Sequence, residues 1–256
     1  MSLAQDKAYG DTQTMDFKAL LIQIRQNPRV LIEERQSFAD SSGLHLEQIH
    51  TFNVFDHQSF DFHLLDTYNC LFIGGASEAS VLKPHQFPFV SSLEKLVLKC
   101  IEESYPVFAS CFGFQIAVQA MGGVIERDET NFEMGTYPMQ MTPASKGDPL
   151  FYNLKRDFMA VSVHQEKCTK MPDNCELLAF TNACPHAFRV LNKPFWAFQF
   201  HPELSKRILT SRLREYQELY TDDSAHYQEV IDSLQDTPEA PKLAKNFVTY
   251  VKSLIN

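Results

Sequence analysis

Apolar and polar positions alternate along this chain in a rhythm that changes twice. Ala19 to Ile24, apolar but for Gln23, is the first strand candidate, as expected of a strand buried on both faces. Arg29 to Ala39 has a helical period and stops near Ser41-Ser42-Gly43. Leu46 to Phe52 alternates as a second strand, and Tyr68 to Ile73 forms a third that runs into a Gly74-Gly75 turn. Ser91 to Ser104 is amphipathic, with Leu93, Leu96, Val97 and Cys100 on one face and a Ser91/Glu94 capping box. Val107 to Ser110 is a short buried strand, and Phe114, Ala117, Val118 and Met121 then repeat at helical spacing.

After Gly122-Gly123 the pattern becomes strand after strand. Thr136–Met141, Phe158–His164, Glu176–Phe180, Ala187–Leu191 and Trp196–Phe200 have little helix between them, which predicts an antiparallel or mixed section. Helical spacing returns over Lys206–Tyr220, Tyr227–Leu234 and Ala244–Ile255, broken by the Pro-bearing stretch from Asp236 to Pro241. The alternating first half implies a parallel sheet with helices on both faces. The expected fold is therefore α/β, with a central, mostly parallel sheet, a smaller antiparallel strand section and a C-terminal helical segment. Residues 1–16 are polar and aperiodic, as in a disordered lead-in. Residues 17–256 read as a single domain, with 206–240 an extra helical segment expected to cap the sheet.

Composition narrows the function. A net charge of -9 argues against an electrostatic grip on nucleic acid or anionic lipid. No apolar run approaches the ~20 residues of a membrane span, and no secretory leader is evident. The six cysteines include no C-x-x-C pair and make no disulfide framework, which favours a reduced, cytoplasmic setting. No metal is expected: there is no H-E-x-x-H, and Cys168, Cys175 and Cys184 lack zinc-ligand spacing. No cofactor motif appears either.

One junction carries candidate chemistry. Cys111 stands where the Val107–Ser110 strand becomes a helix. A strand-to-helix turn exposes one side chain at the carboxyl edge of a sheet and aims free backbone N–H groups at its target. Gly113 would let the first helical turn pack closely. A free cysteine in apolar sequence is more often a small buried hydrophobe, so Cys111 alone decides nothing. A thiol nucleophile needs a base and a group to orient it. His201 ends the last strand candidate, and Pro202 forces the chain out of the sheet. Glu203, two residues on, can then accept a hydrogen bond from the imidazole.

Ser110-Cys111-Phe112-Gly113-Phe114-Gln115, followed by Phe200-His201-Pro202-Glu203, resembles the class I glutamine amidotransferases, most closely their GMP-synthase-like stand-alone branch. Phe72-Ile73-Gly74-Gly75-Ala76 resembles that family's glycine-rich oxyanion strand, and Ser162-Val163-His164-Gln165-Glu166 resembles its glutamine-lining segment. The resemblance implies a flavodoxin-like fold and hydrolysis of a glutamine side-chain amide. Cys111, His201 and Glu203 would be the catalytic triad. The backbone of Phe112 and of Gly74 or Gly75 would form the oxyanion hole, and Gln115, Val163, His164 and Gln165 would bind substrate. Four departures from the family pattern stand out: Ala109, Ala76, Phe114, and the Val163/Gln165 pair around the pocket histidine. The chain has no G-x-x-x-x-G-K-[ST] loop, so ammonia would pass to a separate synthetase subunit. Two other functions fit the same residues, a γ-glutamyl hydrolase or peptidase and a catalytically silent binding protein. A Cys-His-Asp α/β-hydrolase would normally place its acid well before the histidine.

Overall fold

The computed structural model describes residues 17–129, 132–215 and 224–255. In chain order the strands are β1 (Ala19–Ile24), β2 (Ile49–Asn53), β3 (Cys70–Ala76), β4 (Val107–Ser110), β5 (Val124–Arg127), β6 (Glu133–Met141), β7 (Phe158–His164), β8 (Glu166–Lys170), β9 (Cys175–Phe180), β10 (Pro185–Val190) and β11 (Phe195–Phe198). The α-helices are α1 (Pro28–Ser42), α2 (Phe89–Glu102), α3 (Phe112–Ala120), α4 (Lys206–Glu215), α5 (Ser224–Ser233) and α6 (Lys242–Ile255).

Nine strands form one sheet in the order β2-β1-β3-β4-β11-β10-β9-β6-β7. From β2 to β11 all neighbours are parallel. From β11 through β10, β9 and β6 to β7 all are antiparallel. β5 and β8 make a separate antiparallel pair.

Strand alternation sorts side chains onto two faces. Ala19 and Leu21 of β1, Phe72 of β3, Phe108 of β4 and Trp196 and Phe198 of β11 pack beneath α1 and α6. Leu20, Ile22 and Ile24, Ile73, Val107 and Ala109, and Phe195 and Ala197 pack beneath α2 and α3. A third apolar cluster joins Met134 of β6 and Val161 of β7 to Leu209 and Leu213 of α4 and Val230 of α5. The 206–240 segment is thus a cap over the antiparallel end of the sheet, as far as it is described. Residues 216–220 of the expected 206–220 helix, and the 1–16 lead-in, lie outside the described residues.

Several expectations shift. Gly74 and Gly75 belong to β3 rather than to a turn after it. The second strand starts at Ile49, because Leu46–Gln48 forms a 3-10 turn. α2 begins at Phe89 behind Pro88, so Ser91 and Glu94 lie inside the helix and form no capping box. β11 ends at Phe198, three residues short of His201. β5 and β8 were not expected; both are short and carry charged residues (Glu126, Arg127, Glu166, Lys167) that break an apolar strand pattern. Among the described residues no helix is long and apolar enough to cross a membrane.

Candidate active site

β4 and α3 place Cys111. Its φ of 51° and ψ of −96° lie where a non-glycine residue is strained. The surroundings hold it there. Cys111 N–H donates to Phe198 O at 2.7 Å, and the Cys111 carbonyl accepts from Gln115 N–H. α3 lies so close to the sheet that a Cβ on Gly113 would sit 2.9 Å from Ile73 Cβ and 3.0 Å from Ala109 Cβ. Gly113 is therefore what makes room for the Ala109 methyl beneath the turn. Only 4% of Cys111 is exposed, and its sulfur faces the Val163 carbonyl oxygen at 3.8 Å.

Beyond β11 the chain crosses to the free edge of β7. His201 N–H donates to Val161 O at 2.8 Å, forming an isolated antiparallel bridge. The turn through Pro202 then sets His201 Nδ1 2.7 Å from Glu203 Oε1. Ser110 Oγ donates to the other carboxylate oxygen at 2.8 Å. Burial opposes charge on His201, but the neighbouring Cys111 thiolate and Glu203 carboxylate outweigh it and push its pKa up to about 9. Glu203 is also buried; the His201 charge and hydrogen bond hold its carboxyl below the usual range.

The β3–β4 ladder ends at the Ile73–Ala109 pair, and β3 continues through Gly74 and Gly75 alongside Cys111. A Cβ on Gly75 would lie 2.8 Å from His201 Cε1 and 3.4 Å from Cys111 Cβ. One on Gly74 would meet the Glu34 carboxylate, at 2.9 Å from Oε1. Gly75 is thus the point where β3, the thiol and the imidazole meet. Phe112 opens α3 and lines the pocket beside Cys111.

A cavity of about 90 Å³ adjoins Cys111, lined in part by Phe112, Gln115, Val163, His164 and Gln165. All four residues expected to bind substrate therefore reach one pocket, but in different ways. Gln115 Nε2 donates to the Glu166 carbonyl at 3.0 Å, so it braces the pocket wall. Val163 offers its carbonyl to the thiol. Gln165 Oε1 accepts from Arg127 at 2.5 Å. His164 Nε2 faces Glu133 Oε2 at 3.2 Å, and burial lowers its pKa.

Sequence reasoning did not single out Ser110, Arg127 or Glu166 as site residues. Arg127 and Glu166 are register partners on the small β5–β8 pair at the pocket wall. Glu166 Oε1 also accepts from Ser80 Oγ at 2.5 Å, and burial raises its pKa. Glu166 lay within a recognisable segment; Arg127 had no comparable signal, because its strand was too short and polar to detect.

Residues 48–215 match the family model described as glutamine amidotransferase class-I. Over 106 residues the chain is 32% identical to a GMP synthase [glutamine-hydrolyzing] subunit of Methanococcus aeolicus, covering 41% of this chain and 54% of that protein. Over 156 residues it is 26% identical to the γ-glutamyl-L-1-hydroxyisopropylamide hydrolase of a Pseudomonas species, covering 57% and 51%. The matches thus span little more than half the length of these relatives. A glutamine amidotransferase structure from Thermotoga maritima superposes with a TM-score of 0.71 at 13% identity, covering 94% of this chain and 98% of that one. At that identity the likeness is one of fold.

Proposed function

Since the chain belongs to the class-I glutamine amidotransferase family, we propose that it hydrolyses the side-chain amide of glutamine and releases ammonia to a separate acceptor enzyme. The observation that carries this reading is the buried, strained Cys111 beside a His201–Glu203 pair held at 2.7 Å.

In this reading the Cys111 thiolate attacks the amide carbon from the pocket lined by Gln115, Val163, His164 and Gln165. The backbone N–H of Phe112 and that of Gly75 or Gly74 receive the oxyanion, each donor worth about 3–4 kcal/mol in the transition state. His201, with its pKa pushed up to about 9, carries a proton at neutral pH and donates it to the departing nitrogen. The C–N bond breaks, leaving a γ-glutamyl thioester on Cys111 and a neutral imidazole. That imidazole then takes a proton from water as the water attacks the thioester, and the returning thiolate restores the ion pair. Glu203 orients His201 and stabilises its charge, and Ser110 fixes Glu203.

A cavity of about 20 Å³ lies on the other side of His201, between Ser77, Leu204, Leu209 and Leu213. The partner would be a separate synthetase, a reading supported by the resemblance to the GMP synthase subunit of Methanococcus aeolicus. The second reading, a γ-glutamyl hydrolase, draws on the Pseudomonas relative.

Steady-state ammonia release from glutamine tests the proposal. Cys111→Ala should abolish it, a loss on the order of 10⁶-fold, with the fold retained by circular dichroism. Turnover of γ-glutamyl amines without turnover of glutamine would replace the first reading with the second. Failure of a glutamine-mimicking electrophile to label Cys111 would replace both with a silent binding protein.

A further inference from the structure

Behind the pocket wall, four side chains with metal-binding chemistry converge. Glu133 opens β6, His164 closes β7, and Cys184 and His186 straddle the start of β10. All four are buried. His164 Nε2 and His186 Nε2 lie 3.2 and 2.8 Å from the same oxygen, Glu133 Oε2. The Cys184 sulfur lies 3.5 Å from His186 Nε2. Ligand atoms of His164, Cys184 and His186 all fall within 4.8 Å of one another. We propose that Glu133, His164, Cys184 and His186 form a tetrahedral site for a zinc-type divalent cation, tying the β9–β10 turn to the pocket wall at His164.

Donor type points to this class of ion. Two imidazoles and a thiolate suit zinc and its neighbours, whereas magnesium and calcium call for oxygen ligands. Donors bound at about 2.0–2.3 Å around a tetrahedral centre lie about 3.3–3.6 Å from one another. The His164–Glu133 and Cys184–His186 spacings already fall near this range, whereas Glu133 lies outside the mutual 4.8 Å set of His164, Cys184 and His186 and its carboxylate has to close on the Cys184 sulfur. The His186–Glu133 spacing has to open by about half an ångström to reach that tetrahedral separation. A thiolate and a carboxylate together balance the cation's double charge. Binding involves no redox change. The Cys184 S–H bond breaks, its proton goes to solvent and a metal–sulfur bond forms. Each imidazole gives up its Nε2–H hydrogen bond to Glu133, its single proton moves to Nδ1 by exchange with solvent and the freed Nε2 lone pair binds the cation, while Glu133 gives a carboxylate lone pair.

The spacing rule that argued against metal considered Cys168, Cys175 and Cys184. The ligands come instead from strands that are distant in sequence, with Cys184-x-His186 the only local pair. Without a cation the same groups are a buried hydrogen-bonded network on Glu133, which is the alternative the experiment has to separate.

Cobalt(II) is the probe, titrated into Cys111→Ala protein so that the Cys111–His201 pair cannot hold it. One equivalent should give a thiolate-to-cobalt charge-transfer band with tetrahedral ligand-field bands, and zinc should displace it. Cys184→Ser should abolish the charge-transfer band, and His186→Gln should weaken binding by more than about 100-fold. Cys175→Ser should change neither. No charge-transfer band in the Cys111→Ala protein overturns the proposal, and so does a band that persists in Cys184→Ser. The titration of Cys111→Ala protein stands by itself, so a Cys184→Ser chain that fails to fold leaves the test decisive.

Discussion

Of the three described histidines buried against a glutamate, His201 and His164 hold their protons in opposite ways. His201 lies 2.7 Å from Glu203, and its pKa is pushed up to about 9. His164 lies 3.2 Å from Glu133, and its pKa is lowered. Burial pulls both rings toward the neutral form. What differs is the third group. His201 has the Cys111 thiolate beside it, and the two anions together outweigh burial. His164 shares its carboxylate with a second imidazole, His186, and burial wins. A histidine–carboxylate pair therefore does not by itself make a proton donor; the third group beside the ring decides.

The largest effect should separate the two carboxylates by activity. Glu203→Gln should lower kcat for ammonia release by about 10⁴-fold with little change in KM. Glu133→Gln should cost far more in stability than in rate. It leaves buried polar groups imperfectly paired, so urea denaturation should register a loss of about 1–3 kcal/mol. Equal kinetic losses in the two variants would erase the distinction.

Next in size is a titration. Cys111→Ala should move the His201 midpoint, followed by NMR, from about 9 down toward the usual 6.5 and leave His164 in place. The sign follows from linkage. A pKa raised on folding gives His201 a stabilising contribution that is complete below about 6.5 and lost as pH rises through about 9. Removing the sulfur should flatten that alkaline limb of the stability curve. The lowered pKa values of Glu203 and Glu133 act at the other end, where stability present above the usual carboxylate range is lost as pH falls. The smallest effect concerns the turn beneath Cys111. Gly113→Ala drives a methyl against Ile73 and Ala109 and should cost about 1–3 kcal/mol in thermal melts. Ala109→Gly in the same chain should recover part of that loss, leaving the Ile73 share.

The parallel half of the fold was legible because its central strands β1, β3 and β4 are mostly apolar runs bounded by turn residues. β1 and β4 start and stop where the pattern says. The antiparallel half blurred at its edges, since short strands such as Val124–Arg127 are decided by the partner they pair with. Cys111, His201 and Glu203 could be proposed because strand-to-helix and strand-to-turn junctions leave local marks. Ser110 could not, because nothing in the order of residues says that its hydroxyl turns toward Glu203. Gly74 and Gly75 were picked out for the right neighbourhood but the wrong conformation: extended backbone needs glycine here because the His201 ring and the Glu34 carboxylate approach it. The Glu133 cluster was invisible for the same reason as Ser110, since sheet pairing alone assembles it.

β7 is the last strand in the sheet order, and its outer edge carries the site. His201 hangs from the Val161 carbonyl, and the Cys111 sulfur faces that of Val163. Carbonyls two residues apart on a strand point the same way and repeat every ~6.6 Å. One pleat of β7 therefore acts as the ruler against which thiol and imidazole are both set. A slip of one residue would turn both carbonyls away together, so the site has a single gauge and loses its alignment all at once.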